Sequence, residues 1–450
     1  MDIQWKKVDL PDFGTPLEVP EIPVEIYENR CDKFYNKIDC NWIAVYGDRE
    51  HFANLHYFTE FDPRFEEALL MLGPDNQRYL VVGNEGLMYK PVVKPNCEIV
   101  LSQTFSLLGQ DRVKAPKITD VFKEIGLKRG DTVGVVGWKY LEDKEKEEFE
   151  SYFVPVYLIN ALKSVVGDDA LQDVTEELMH PTRGLRAYNE VEQLAFFEWA
   201  ASRASAALTR IMKHTKPGKS ELEIVSNMGY AGEPFTTHLM YASGKKQIVG
   251  LRSPSSKIVE KGDGVFSAFG YRGGLSARGV RVEKENKEFL EKWAIPYFRG
   301  IVAWYENVEI GKKGGDIYQL VTDVLKKGGL RPALNPGHLT SSDEWLHTQF
   351  RPGSEEKIFS GMAVQCDIIP APMPDGVNIN CEDTVFIADE KYQAEIKERY
   401  PEVWQRIQRR RKFMRNELGI DFSENILPLS NSPAYYTPLT LQSDYALVLN

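Results

Sequence analysis

Residues 262–282 read Gly-Asp-Gly-Val-Phe-Ser-Ala-Phe-Gly-Tyr-Arg-Gly-Gly-Leu-Ser-Ala-Arg-Gly-Val-Arg-Val, and this stretch decides the fold. Its apolar runs flank Tyr271-Arg272-Gly273-Gly274, a turn sequence, so it predicts a β-hairpin over Gly262–Val282. Between Gly264 and Val282 there is no acidic residue. The pattern then changes to a helical period over Glu285–Val308, with Pro296 as a kink. A further helix over Ile317–Lys327 stops at Gly328-Gly329, and Met362–Ile387 is strand-rich with Pro and Gly at its turns.

Upstream of the hairpin, a helix begins at Asn189 with an Asn-x-x-Glu cap. Its apolar stripe is Leu194, Phe197, Ala201, Ala204, Leu208 and Ile211, the three-to-four spacing of a buried face. Lys216-Pro217-Gly218 ends it, and Ser220 with Glu223 forms a capping box for the next helix. Two helices followed by strands is thus a plan that the second half of the chain uses twice. Tyr392–Leu418 predicts a last helix carrying Arg409-Arg410-Arg411-Lys412, read as a solvated face neutralised by nearby acids. The tail Leu427–Asn450, with Tyr435-Tyr436 among prolines, is either a docking arm or an ordered strap on its own domain.

Residues 1–180 alternate strands and helices: Trp42–Tyr46, Tyr79–Val82 and Val133–Val136 are β-branched runs, and Ile118–Ile125 is a helix closed by Gly126. His180-Pro181-Thr182-Arg183-Gly184 interrupts that pattern. Three segments follow: an α/β domain over 1–180, a second domain over 181–425 and an extension over 426–450. A length of 450 residues fits this division.

Lys plus Arg number 55 against 66 Asp plus Glu, a formal charge of −11. That balance argues against nucleic acid as a partner, since phosphate affinity rests on clustered cations. No apolar stretch approaches the roughly 18 residues of a membrane span, and MDIQWKKVDLPDFG lacks a signal-peptide core. The five cysteines, Cys31, Cys40, Cys97, Cys366 and Cys381, show no CxxC spacing. A cytoplasmic protein with reduced thiols is expected.

The order of these elements resembles the pita-bread superfamily of creatinase, prolidase, aminopeptidase P and methionine aminopeptidase. The residues that carry the resemblance are Lys216-Pro217-Gly218, Glu260-Lys261-Gly262-Asp263, Arg281, Pro336-Gly337-His338, Gly361-Met362 through Asp367, and Glu382-Asp383-Thr384-Val385. It implies an α+β fold class: a creatinase-like α/β amino-terminal domain followed by a pita-bread catalytic domain. Peptidases of that superfamily hold two metal ions with two Asp, one His and two Glu. Here the first Asp position falls on Ser267 or Ala268, and the second on Arg278.

His338, Asp367 and Glu382 keep the chemistry of the other three positions. Without the paired Asp the pattern is most similar to creatinase, which implies His338 as acid/base with Asp367 and Glu382 gripping a cationic group. Arg278, His347 (nine residues after His338) and Arg64 in Asp62-Pro63-Arg64-Phe65 are the expected substrate-binding residues. The expected activity is a metal-independent hydrolysis of a C–N bond in a small cationic or zwitterionic substrate, with no cofactor, in a cytoplasmic homodimer. Alternatives are a non-catalytic binding protein, and a peptidase-like or lyase enzyme with a single metal on His338, Asp367 and Glu382. Ser267 lacks the Gly-x-Ser-x-Gly surroundings of a nucleophile.

Overall fold

The computed structural model describes residues 2–114, 116–246 and 250–450. Its contacts divide the chain into two units: Ile22–Arg186, and the residues up to Glu21 together with Ala187–Asn450.

In the first unit Trp42–Gly47 is buried at every position, as a strand covered on both faces must be. It sits inside a six-stranded mixed sheet in the order Glu98–Leu101, Arg78–Val82, Ala68–Leu72, Trp42–Gly47, Val133–Val136, Leu171–Asp173. The helices Ile118–Glu124 and Val156–Val166 place Phe122, Leu158 and Leu162 in one apolar cluster with Trp42, Ala44, Val133 and Val135. The predicted strands and the Ile118 helix are all present.

The second unit is built on a seven-stranded antiparallel sheet. Its main path runs His338–Leu339, Ala363–Cys366, Asn380–Ile387, Gly274–Arg281, Gly264–Tyr271, Phe235–Gly244. The hairpin forms as expected, and Gly273 turns it at φ +94°. A Cβ there would lie 1.9 Å from Phe197 on the helix Val191–His214, so glycine is what lets the turn seat on that helix. All six residues of the predicted stripe on this helix are buried. Ser220 and Glu223 make the predicted capping box.

Four local expectations change. Asn189 does not cap its helix; its carboxamide donates to the Gly361 carbonyl at 2.9 Å instead. The last helix is two, Glu390–Arg399 and Pro401–Asn416, because Pro401 supplies no amide to continue the first. The basic run is only half a solvated face: Arg409 and Lys412 are exposed, while Arg410 and Arg411 are buried against Glu198 and Glu424. Arg410 is fully buried and bonds Glu198 at 2.6 Å and Asn431 at 2.7 Å, while Arg406 takes the other Glu198 oxygen at 2.6 Å. A buried guanidinium needs such a partner. The chain ends also pair with each other rather than lying in separate segments: Ile3–Lys7 runs antiparallel to Tyr445–Leu449. Ile426–Pro428 adds to the edge of Asn380–Ile387, so the tail is a strap on its own unit.

Candidate functional site

The antiparallel register places Glu382 opposite Ala277, and Ala277 opposite Ala268. Paired residues share a face and neighbours along a strand do not. Glu382, Ala277 and Ala268 therefore line one face, while Asp383, Arg278 and Ser267 line the other. Gln365 and His338 pair in the same way, and Asp367, two residues on from Gln365, falls on the Glu382 face.

Gly337 positions His338. It has φ +130°, and a Cβ there would meet the Gln365 carbonyl oxygen at 2.7 Å, which explains why glycine precedes the histidine. After His338 the chain turns back on itself: the Leu339 amide donates to the His347 carbonyl at 2.7 Å and the Leu346 amide to the Leu339 carbonyl at 3.0 Å. This tight loop returns two side chains to the histidine. Glu344 Oε1 lies 3.3 Å from His338 Nε2, and Trp345, 42 % exposed, stacks on the imidazole at 4.2 Å between ring centroids. Glu382 Oε1 approaches the same Nε2 at 3.9 Å. His338 itself is 1 % exposed.

Three acids and one imidazole in so dry a place compete for protons. Burial disfavours the His338 imidazolium, but hydrogen bonds to Glu344 and Glu382 and the nearby Glu344 and Asp367 charges outweigh it and hold His338 up at about 10. Burial, reinforced by Glu382, pushes Asp367 up to about 8. It raises Glu344 and Glu382 as well, against the pull of His338. Asp367 Oδ1 and Glu344 Oε2 are buried without a hydrogen-bond partner.

His338, Asp367 and Glu382 are thus brought together. Arg278 is not with them. Its guanidinium lies on the opposite face, paired with Asp383 at 2.9 Å and donating to the Ser432 carbonyl at 2.7 Å and to the Ala277 and Glu382 carbonyls at 2.8 Å. It is buried on that side, away from the His338 group. His347 stands at the foot of the loop, outside the group formed by His338, Glu344 and Glu382, with Nδ1 accepting from the Thr348 amide at 2.7 Å. Arg64 belongs to the other unit, where it donates to the Tyr89 hydroxyl at 3.1 Å and approaches Asp62 at 3.6 Å. Glu344 is the residue that sequence reading missed. Its signal was the turn-forming Ser341-Ser342-Asp343 between Leu339 and Leu346, which folds the loop back.

A two-ion centre does not fit these residues. The positions across the sheet from Glu382 are Ala277 and Ala268, and both belong to an apolar cluster with Met240 and Leu275. One ion does fit. Ligand atoms of His338, Glu344 and Glu382 lie within 4.8 Å of one another, and Asp367 Oδ1 and Glu344 Oε2 have no hydrogen-bond partner to compete with an ion.

No family model and no curated protein sequence matches the chain. Solved structures do. A prolidase from Thermococcus sibiricus superposes with a TM-score of 0.65 at 17% identity, over 82% of this chain and 96% of that one. An X-Pro aminopeptidase from Thermotoga maritima gives 0.62 at 15%, covering 81% and 95%. An Xaa-Pro dipeptidase from Bacillus anthracis gives 0.60 at 17%, covering 82% and 96%. The chain has the pita-bread fold expected of it, with the α+β two-domain layout. The expected metal-independent, creatinase-like hydrolysis is overturned: the matching structures are named for prolidase, dipeptidase and aminopeptidase and not for creatinase.

Proposed function

We propose that this chain is a peptidase-like hydrolase that cleaves an amide bond in a small peptide, using one divalent cation at His338, Asp367 and Glu382. The observation that carries the reading is the convergence of the His338 imidazole and the Glu382 carboxylate on one sheet face, with Glu344 reaching them from its loop and Asp367 beside them, within a fold whose similar solved structures are named peptidases. A divalent cation bound there supplies Lewis-acid polarisation of the scissile carbonyl.

The protein's own groups do the rest. The Leu339 carbonyl, 3.2 Å from His338 Nδ1, fixes the ring so that Nε2 faces the acids. Trp345 covers one side of the imidazole and excludes water from it. The Ala268, Ala277, Leu275 and Met240 cluster gives the face an apolar half that suits an apolar residue of the peptide. A cytoplasmic location is part of the same reading, supported by five free cysteines, and the homodimer is carried with it from the resemblance alone.

The test is a dipeptide and tripeptide panel assayed on chelator-treated protein with and without Mn²⁺. Turnover that needs the cation and falls at least a hundredfold in His338→Ala is expected; equal turnover in chelator would overturn the proposal. A second reading, a binding protein without turnover, is favoured by Ala268 and Ala277, which offer no carboxylate across the sheet from Glu382. It requires peptide binding that survives His338→Ala.

A further inference from the structure

We infer that Glu344 is itself a ligand, and that it replaces from a loop the charge the sheet has lost. The inference rests on the one-ion reading above and names a residue that the resemblance to the superfamily does not supply. Glu344 is set on no strand. It reaches His338 only because the Leu339–His347 pairing closes a short loop over the imidazole.

Three facts point the same way. Glu344 Oε1 is within 3.3 Å of His338 Nε2, and its ligand atom lies within 4.8 Å of those of both His338 and Glu382. Its other oxygen is buried with no partner, an arrangement that is costly unless something positive sits beside it. Asp367, 6 % exposed, adds a second unpartnered carboxylate oxygen on the same face. Meanwhile the two sheet positions that would complete a two-ion centre are methyl groups. One imidazole with two or three carboxylates around it is a donor set for a single Mn²⁺-, Fe²⁺- or Zn²⁺-like ion. The loop acid therefore turns half of a two-ion site into a complete one-ion site.

The decisive measurement is calorimetric titration of the full chain with MnCl₂ after chelator treatment, backed by the Mn²⁺ resonance spectrum, and it needs no substrate. One site per chain is expected. Glu344→Gln should weaken binding at least tenfold, and Glu344→Asp should fall between it and the parent. Asp343→Asn, next in the loop, should bind as the parent does. Glu344→Gln also removes the acid paired with His338 and should melt lower than the parent in chelator, so the ligand role is read from the titration of folded protein and not from the melt. Parent-like affinity in Glu344→Gln with loss in His338→Ala, or two ions per chain, would overturn the assignment and leave the hydrolase reading standing. One-to-one binding that needs Glu344, in a protein that turns over no peptide, would overturn the hydrolase reading and leave the ligand in place.

Discussion

Ala277 stands directly opposite Glu382 in the antiparallel register, so its methyl group occupies the position from which a carboxylate would meet Glu382 across a second cation. Ala277→Asp rebuilds half of that missing pair. In chelator the new carboxylate is buried against Leu275 and Met240 and should cost at least about 1–3 kcal/mol of stability. Mn²⁺ should recover it. The expected result in thermal melts is a lower midpoint without cation and a larger Mn²⁺-induced rise than in the parent. An unchanged midpoint in both conditions would show that position 277 does not face the site.

Arg278 and Asp383 form a buried pair on the far face, which separates a structural role from a substrate-binding one. Arg278→Met leaves Asp383 without its cation, and such a loss costs about 3–5 kcal/mol. Urea unfolding should show that drop. A substrate-binding arginine would behave differently, raising KM while leaving the unfolding midpoint in place.

Glu198 accepts from both Arg406 and Arg410 at 2.6 Å with no exposure of its own. Glu198→Ala strands two cations at the junction between Pro401–Asn416 and Val191–His214. A loss of about 3–5 kcal/mol is expected in chemical denaturation. Glu402→Ala, an exposed acid on the same helix, should change stability by less than about 0.5 kcal/mol.

The features legible in the sequence were those set by local chemistry. The Ser220–Glu223 capping box, the Gly273 turn and the stripe on Val191–His214 depend on residues a few positions apart, and all three form. Facing was harder to read. Counting along the hairpin put the second aspartate position on Arg278, and a slip of one residue moves a side chain to the opposite face of a sheet; the register shows that Ala277 holds the site-facing place. Glu344 was hidden for another reason, since its approach to His338 exists only once the loop closes on Leu339. Arg410 looked solvated because its partner Glu198 lies 212 residues away in sequence.

The titration of the His338 cluster gives a prediction with a definite sign. Burial holds Asp367, Glu344 and Glu382 above ordinary carboxylates, Asp367 at about 8. Between about pH 4, where free carboxylates ionise, and pH 8, the folded chain keeps protons that the unfolded chain has released. Without cation, stability therefore falls as pH rises across that window. His338, raised to about 10, acts in the same direction: its contribution is complete below about 6.5 and is lost as pH rises through 10. A divalent cation binds the deprotonated acids, so its stabilisation grows as they ionise. Thermal melts in chelator and in Mn²⁺ from pH 5.5 to 8.5 should diverge, the chelator midpoint dropping while the Mn²⁺-induced rise enlarges. Asp367→Asn with Glu382→Gln should flatten both trends. A cation effect of the same size at every pH would mean that the ion binds elsewhere than among these four side chains.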